Sequence, residues 1–190
     1  MPLTLIGLLE DEGIEWGGKW EVVKGQLFRE SERASAIVSS ALLDETLATV
    51  IGLFMIDEDM KKRDDREVLK LIEDYGVLGT FSARTRTAYS LGLMTEDEHH
   101  DLHIIRTIRN KFAHDLECSF DDPSVADRCN NLVHPRRIAF LERQCTARQK
   151  YELAVYQIGA ALAMRFADVK SRRCVVPPEM PFDPTGITHT

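Results

Sequence analysis

At 190 residues the chain has the length of one domain and can bury a core without disulfide or metal staples. Hydrophobic residues make up 44% and charged residues 29%, which excludes a disordered composition. A net charge of −7 argues against a surface coated in basic residues for nucleic acid.

The charge is uneven. Residues 1–135 hold 15 basic and 26 acidic side chains, whereas residues 136–173 hold 9 and 3. Such a sign change marks either a binding face or two surfaces that attract each other within a fold or across a dimer. Cys118, Cys129, Cys145 and Cys174 form no Cys-x-x-Cys pair, and no export signal precedes them. A reducing, cytoplasmic setting without structural zinc is expected. No apolar run in the sequence reads as a membrane span; the longest candidate, Leu153 to Met164, is interrupted by Tyr156 and Gln157.

In chain order, residues 1–24 hold both tryptophans and show no period, so they read as an N-terminal arm. Residues 25–174 read as an all-α domain, a bundle of about six helices. A first helix runs from about Glu30 to Met55, with Ala36, Ile37, Ala41, Leu43, Leu47, Val50, Ile51 and Phe54 on one apolar face. Asp64 or Asp65 caps a short second helix. Gly76 and Gly79 bracket a tight connector. Thr80 caps a third helix that Gly92 ends. Thr95-Glu96-Asp97-Glu98 is a capping box and opens a fourth, with Leu102, Ile105, Ile108 and Phe112 inward. Asp122 before Pro123 caps a short fifth. A final helix covers about Thr146 to Ser171. Its apolar residues exceed what one core can cover, which predicts a homodimer. Residues 175–190, with Pro177, Pro178, Pro181 and Pro184, read as an extended tail.

The fourth helix carries a second stripe. His99, His103, Arg106, Asn110 and His114 follow at steps of four, three, four and four. As a solvated face, this stripe needs no ligand, and His114 complements the helix C-terminus. Arg109 would then pair with Asp44 or Glu45. As a metal site, His99 and His103 lack a third ligand. As a chemical site, Arg109, Asn110 and His114 spell Arg-Asn-x-x-x-His, which resembles the motif of HEPN-domain ribonucleases, small all-helical dimers. That resemblance implies Arg109 stabilising phosphate charge, His114 moving a proton and Asn110 orienting, with no metal or cofactor. Five helical residues put Arg109 and His114 ~7.5 Å apart along the axis and ~140° apart around it. They converge only if the helix stops near Ala113 or a second subunit completes the site.

Ala88 and Gly92 sit at helix-turn-helix spacing. The following helix opens with Glu96, Asp97, Glu98 and Asp101, whose carboxylates facing DNA would repel phosphates. Any contact with DNA or RNA is expected through the backbone, from Arg136, Arg137, Arg143, Arg148, Lys150, Arg172 and Arg173.

Three stretches carry a wider resemblance. They are Ser31-Glu32-Arg33-Ala34 leading into Leu42-Leu43-Asp44-Glu45, then Gly76-Val77-Leu78-Gly79-Thr80-Phe81-Ser82-Ala83-Arg84-Thr85-Arg86, then Tyr89-Ser90-Leu91-Gly92-Leu93 and the helix ending Arg106 to Asp115. Over about residues 31–133 the chain resembles the mannitol operon repressor family. The resemblance implies an all-helical bacterial cytoplasmic protein tied to repression of mannitol uptake and metabolism. It also implies a fold without a recognised DNA-binding module, acting through a protein partner. From the residues themselves, Ser82, Arg84 and Arg86 can meet Glu32, Asp44 or Glu45 in a charge network holding three helices together.

Overall fold

The computed structural model describes residues 29–55, 70–73, 76–137 and 145–172. The expected N-terminal arm, the helix capped by Asp64 or Asp65 and the proline-rich tail lie outside the described residues. Within them the chain is all-α, with seven helices. These are α1 (Glu32–Met55), α2 (Phe81–Ser90), α3 (Glu96–His114), α4 (Pro123–Asn130), α5 (Val133–Arg136), α6 (Ala147–Met164) and α7 (Phe166–Ser171).

Helix α1 is the axis of the fold and packs against α2, α3, α6 and α7. The sequence predicts one apolar face, but burial goes further: every residue from Thr46 to Leu53 is buried, while Ala41 is exposed. A helix surrounded on all sides needs no polar stripe. Its buried hydroxyls bond back along the helix, Ser40 to the Ala36 carbonyl (2.7 Å), Thr46 to Leu42 (2.8 Å) and Thr49 to Glu45 (3.0 Å). Length and composition also make α1 apolar enough to cross a membrane, with a mean hydropathy of 1.6 over its best window. In the sequence Ser39, Ser40, Asp44 and Glu45 interrupt its apolar run. Burial of 61% of that window inside the bundle is the pattern of a core helix.

Helix ends follow local chemistry. Thr80 Oγ1 accepts the Ala83 N–H at 3.2 Å and starts α2. At the other end Gly92 takes φ +68°, and the Gly92 and Leu93 N–H groups donate to the Tyr89 and Ala88 carbonyls (3.0 and 2.8 Å). That is a Schellman ending, and it needs the glycine. In α3, Thr95 Oγ1 accepts from the Glu98 N–H (3.3 Å) while Glu98 Oε2 accepts from the Thr95 N–H (2.7 Å). Replacing Thr95 by alanine removes half of this box and is expected to cost about 1 kcal/mol, read from urea unfolding. Gly76 is required by crowding: a Cβ there would lie 2.1 Å from the Lys70 carbonyl oxygen.

Three expectations need correction. Asp122 stands at the N-cap of α4, but its side chain makes no cap bond; its carboxylate takes Lys111 Nζ (3.2 Å) and the Ser119 N–H (3.4 Å) instead. The long final helix is broken at Arg165, whose ψ of −8° ends α6 and starts α7. The surplus apolar surface expected on that helix is largely covered within one chain. Tyr151, Ala154, Val155, Ile158, Leu162 and Ala163 are all buried, although Met164 remains 82% exposed.

Candidate functional site

Helices α2 and α3 are joined by the Gly92 turn and lie side by side. Between them is a cleft of about 260 Å³. Ser82, Thr85 and Arg86 line it from α2, and His99, Leu102, His103 and Arg106 from α3. The spacing explains the convergence: 82, 85 and 86 share one face of a helix, as do 99, 102, 103 and 106. Leu102 is fully buried and forms an apolar floor. His99 stacks on Tyr89, with ring centroids 4.5 Å apart, and this fixes one wall. Among the described residues, no carboxylate lines the cleft.

Three of the five stripe residues, His99, His103 and Arg106, thus belong to a cleft that the stripe alone did not reveal. The α2 side is hidden in the sequence, where Arg86 reads as a member of the charge network with Glu32, Asp44 and Glu45. Only Arg84 enters that network: its Nη1 lies 2.8 Å from Asp44 Oδ1, and its Nη2 donates to the Ile72 carbonyl at 2.6 Å. Arg86 is exposed and its Nε reaches only the Ser82 carbonyl, at 3.4 Å. Two residues apart on a helix means ~200° of rotation, so Arg84 and Arg86 face opposite ways.

His103 reports the local field. Its pKa is held below the ordinary 6.5, first by partial burial and then by positive charge on Arg106, His99, His100 and Arg128. The folded chain therefore binds fewer protons here than the unfolded chain. Stability is full above 6.5 and is lost as pH falls through the lower folded value. An NMR titration of the His103 ring is expected to give a midpoint under 6.5, and stability of His103→Gln should depend less on pH below neutrality. A midpoint at or above 6.5 contradicts this.

The other end of α3 holds Arg109, Asn110 and His114. Arg109 Nη1 donates to Asn110 Oδ1 at 3.0 Å rather than to Asp44 or Glu45. Helix α3 winds through His114, and Asp115 is the first residue outside it. The helix thus stops one residue beyond Ala113, at His114, where the chain turns extended. His114 is exposed, and Arg109 and Asn110 are partly buried. What sequence reasoning missed is the clamp on this end. Arg33 donates to the Phe112 carbonyl and to that of Asp115 (2.6 Å), and Glu32 Oε2 accepts the Phe120 N–H at 3.0 Å. Arg33 thus serves carbonyls that a helix end leaves open.

Two of the four carboxylates expected at the outer face of α3 are buried. Glu98 (2% exposed) pairs with Arg165 at 2.7 Å. Asp101 (0%) accepts the Val133 N–H (2.8 Å), the His134 N–H (2.9 Å) and His134 Nδ1 (2.7 Å), and so caps α5 from another helix. Glu96 is exposed, and Asp97 pairs with Arg137. The basic residues proposed for nucleic acid are likewise engaged. Arg136 Nε donates to the Asn130 carbonyl (3.0 Å), Lys150 to Asn130 Oδ1 (2.8 Å), Arg148 Nε to Glu152 (2.7 Å) and Arg172 to Asp168 (3.2 Å). Arg143 and Arg173 lie outside the described residues.

Asp115, Cys118 and Asp122 bring three potential metal-binding atoms within 4.8 Å of one another. Lys111 already supplies positive charge to Asp122, and burial raises the Cys118 thiol pKa. This cluster is better suited to holding the α3–α4 loop than to gripping a cation.

With this geometry in place, the chain matches the family model described as MtlR, mannitol repressor, over residues 29–173. The chain belongs to the mannitol repressor family. No curated protein and no solved structure matches it. The match begins before α1 and continues beyond α7, so it spans the residues of the Arg33 clamp, the cleft and the α6–α7 break.

Proposed function

We propose that this chain is a transcriptional regulator of the mannitol-repressor type, controlling sugar uptake and metabolism genes in the cytoplasm through protein contacts. Membership of the mannitol repressor family across 29–173 carries this reading. Two features support protein contacts over groove reading. The turn at helix-turn-helix spacing leads into a helix whose first turn carries Glu96 and the Arg137-paired Asp97. Of the seven basic residues expected to touch a nucleic-acid backbone, the five that are described are already bonded to the chain itself.

Deleting the gene is expected to raise transcription of a neighbouring sugar-transport operon. The purified protein is expected to bind upstream DNA without sequence preference and to release it as salt rises. Unchanged transcription would remove the regulator. Sequence-specific binding by the protein alone at physiological salt would remove the protein-contact half.

The ribonuclease alternative would use Arg109 and His114 at the end of α3, within one chain or across two subunits. A monomeric mass by light scattering, with single-stranded RNA left intact at high protein concentration, is the result expected if that alternative is wrong.

A further inference from the structure

We propose that the cleft between α2 and α3 is a binding site for a small phosphomonoester. Its charge is the first reason. Arg84, Arg137, Arg148, Arg165 and Arg172 each lie against a carboxylate. Arg86 and Arg106 do not, among the described residues. Arg86 makes only the long bond to its own helix, and Arg106 Nη2 lies 3.3 Å from His103 Nδ1. Two guanidinium groups from different helices face one space with no acid among the described residues that line it. That is an unbalanced positive field, and an arginine fork suits phosphate oxygens.

The second reason is the supply of further donors. The Ser82 hydroxyl has no hydrogen-bond partner among the described residues, and the His99 and His103 rings line the same wall. The Thr85 hydroxyl is already spent on the Phe81 carbonyl at 2.8 Å, so its methyl group and Leu102 form the apolar part.

Size and charge together choose the ligand. About 260 Å³ falls just below the usual ligand cavities of ~300 to ~1,000 Å³, which restricts the site to a small molecule. A monoester carries about −1.5 to −2 at neutral pH, close to the charge of two arginines. A nucleic-acid strand brings one charge per phosphate and needs a longer track of cations. The organic part of the monoester would rest on Leu102 and against the Tyr89–His99 stack.

The site is tested on the purified full chain, independently of any transcriptional role. Glycerol 3-phosphate and inorganic phosphate are titrated by calorimetry at matched ionic strength, with glycerol as the uncharged control. The same titrations are followed by NMR at the histidine rings. Both phosphates are expected to bind, glycerol not, with shifts at His99 and His103 and none at His114. Arg86→Gln and Arg106→Gln are expected to weaken binding about tenfold or more, while Arg172→Gln leaves it unchanged. Melting temperatures and circular dichroism check that both cleft variants fold; if one fails, the other decides. Millimolar phosphate producing neither heat nor ring shifts overturns the proposal. So does equal weakening in Arg172→Gln, or a single-stranded oligonucleotide that binds through Arg86 and Arg106 more tightly than the monoester.

Discussion

Asp101→Ala is expected to lower the unfolding free energy by about 3–5 kcal/mol, the cost of removing one side of a buried, hydrogen-bonded charge site. The carboxylate is fully buried and serves three donors from residues 133 and 134. Removing it strands two backbone N–H groups at the start of α5 and the His134 ring, which is itself only 7% exposed. Each stranded donor costs about 1–3 kcal/mol. Water entering the gap recovers part of this, so the total stays below the sum. Asp101→Asn keeps the volume and one acceptor and should cost about 1–3 kcal/mol. Urea unfolding of both variants tests the assignment. Near-equal stability of Asp101→Ala and the parent chain would show that α5 does not depend on α3 for its cap.

Phe112→Ala comes next, at about 3–5 kcal/mol for the lost ring and the cavity left behind. Phe112 is fully buried, its ring centroid 4.8 Å from that of Phe120, which lies 5.2 Å from Tyr151. The three rings join α3, the α3–α4 loop and α6. The Phe112 carbonyl is also one of the two that Arg33 holds. Phe112→Leu keeps most of the volume and should cost less than about 1.5 kcal/mol. Hydrogen exchange should localise the damage in Phe112→Ala to the last turn of α3, where Arg109, Asn110 and His114 sit. Protection there equal to the parent's would separate the aromatic cluster from the integrity of that turn.

Local signals in the sequence located several elements well. Thr95 with Glu98, Thr80, Gly92 and Pro123 each act within four residues, and each stands at the helix end where its chemistry placed it. The same pattern occurs at Thr146 and Gln149, a second capping box that opens α6 and that the sequence reading used only as a start point. What stayed hidden depends on partners far along the chain. Glu98 meets Arg165 across 67 residues, and Asp101 meets His134 across 33. No window of sequence shows such pairs, so both carboxylates looked like surface charges. The break at Arg165 was hidden for a related reason: neither proline nor glycine marks it.

The candidate site was half legible. Periodicity alone put His99, His103 and Arg106 on one edge of α3. Facing Ser82, Thr85 and Arg86 across a cleft was not readable, because that depends on how α2 rotates against α1. Arg84 sets that rotation by reaching Asp44. The helical angle alone sends Arg84 and Arg86 to opposite sides. The nuclease-like triplet was legible as a motif, but the point where its helix ends, at His114 with Asp115 outside, was not.

The phenol of Tyr151 fixes how α6 seats on α1. Its hydroxyl lies 3.1 Å from each of Ser39 Oγ, Ser40 Oγ and the Ala36 carbonyl, and burial pushes its pKa up to about 12. Sliding α6 by one turn, ~5.4 Å, would leave that oxygen stranded in hydrocarbon. Grease alone tolerates such slippage; a single polar dowel forbids it. The pair of long helices therefore has one seating, and whatever the molecule does when it meets a ligand, its movement must come from elsewhere in the bundle.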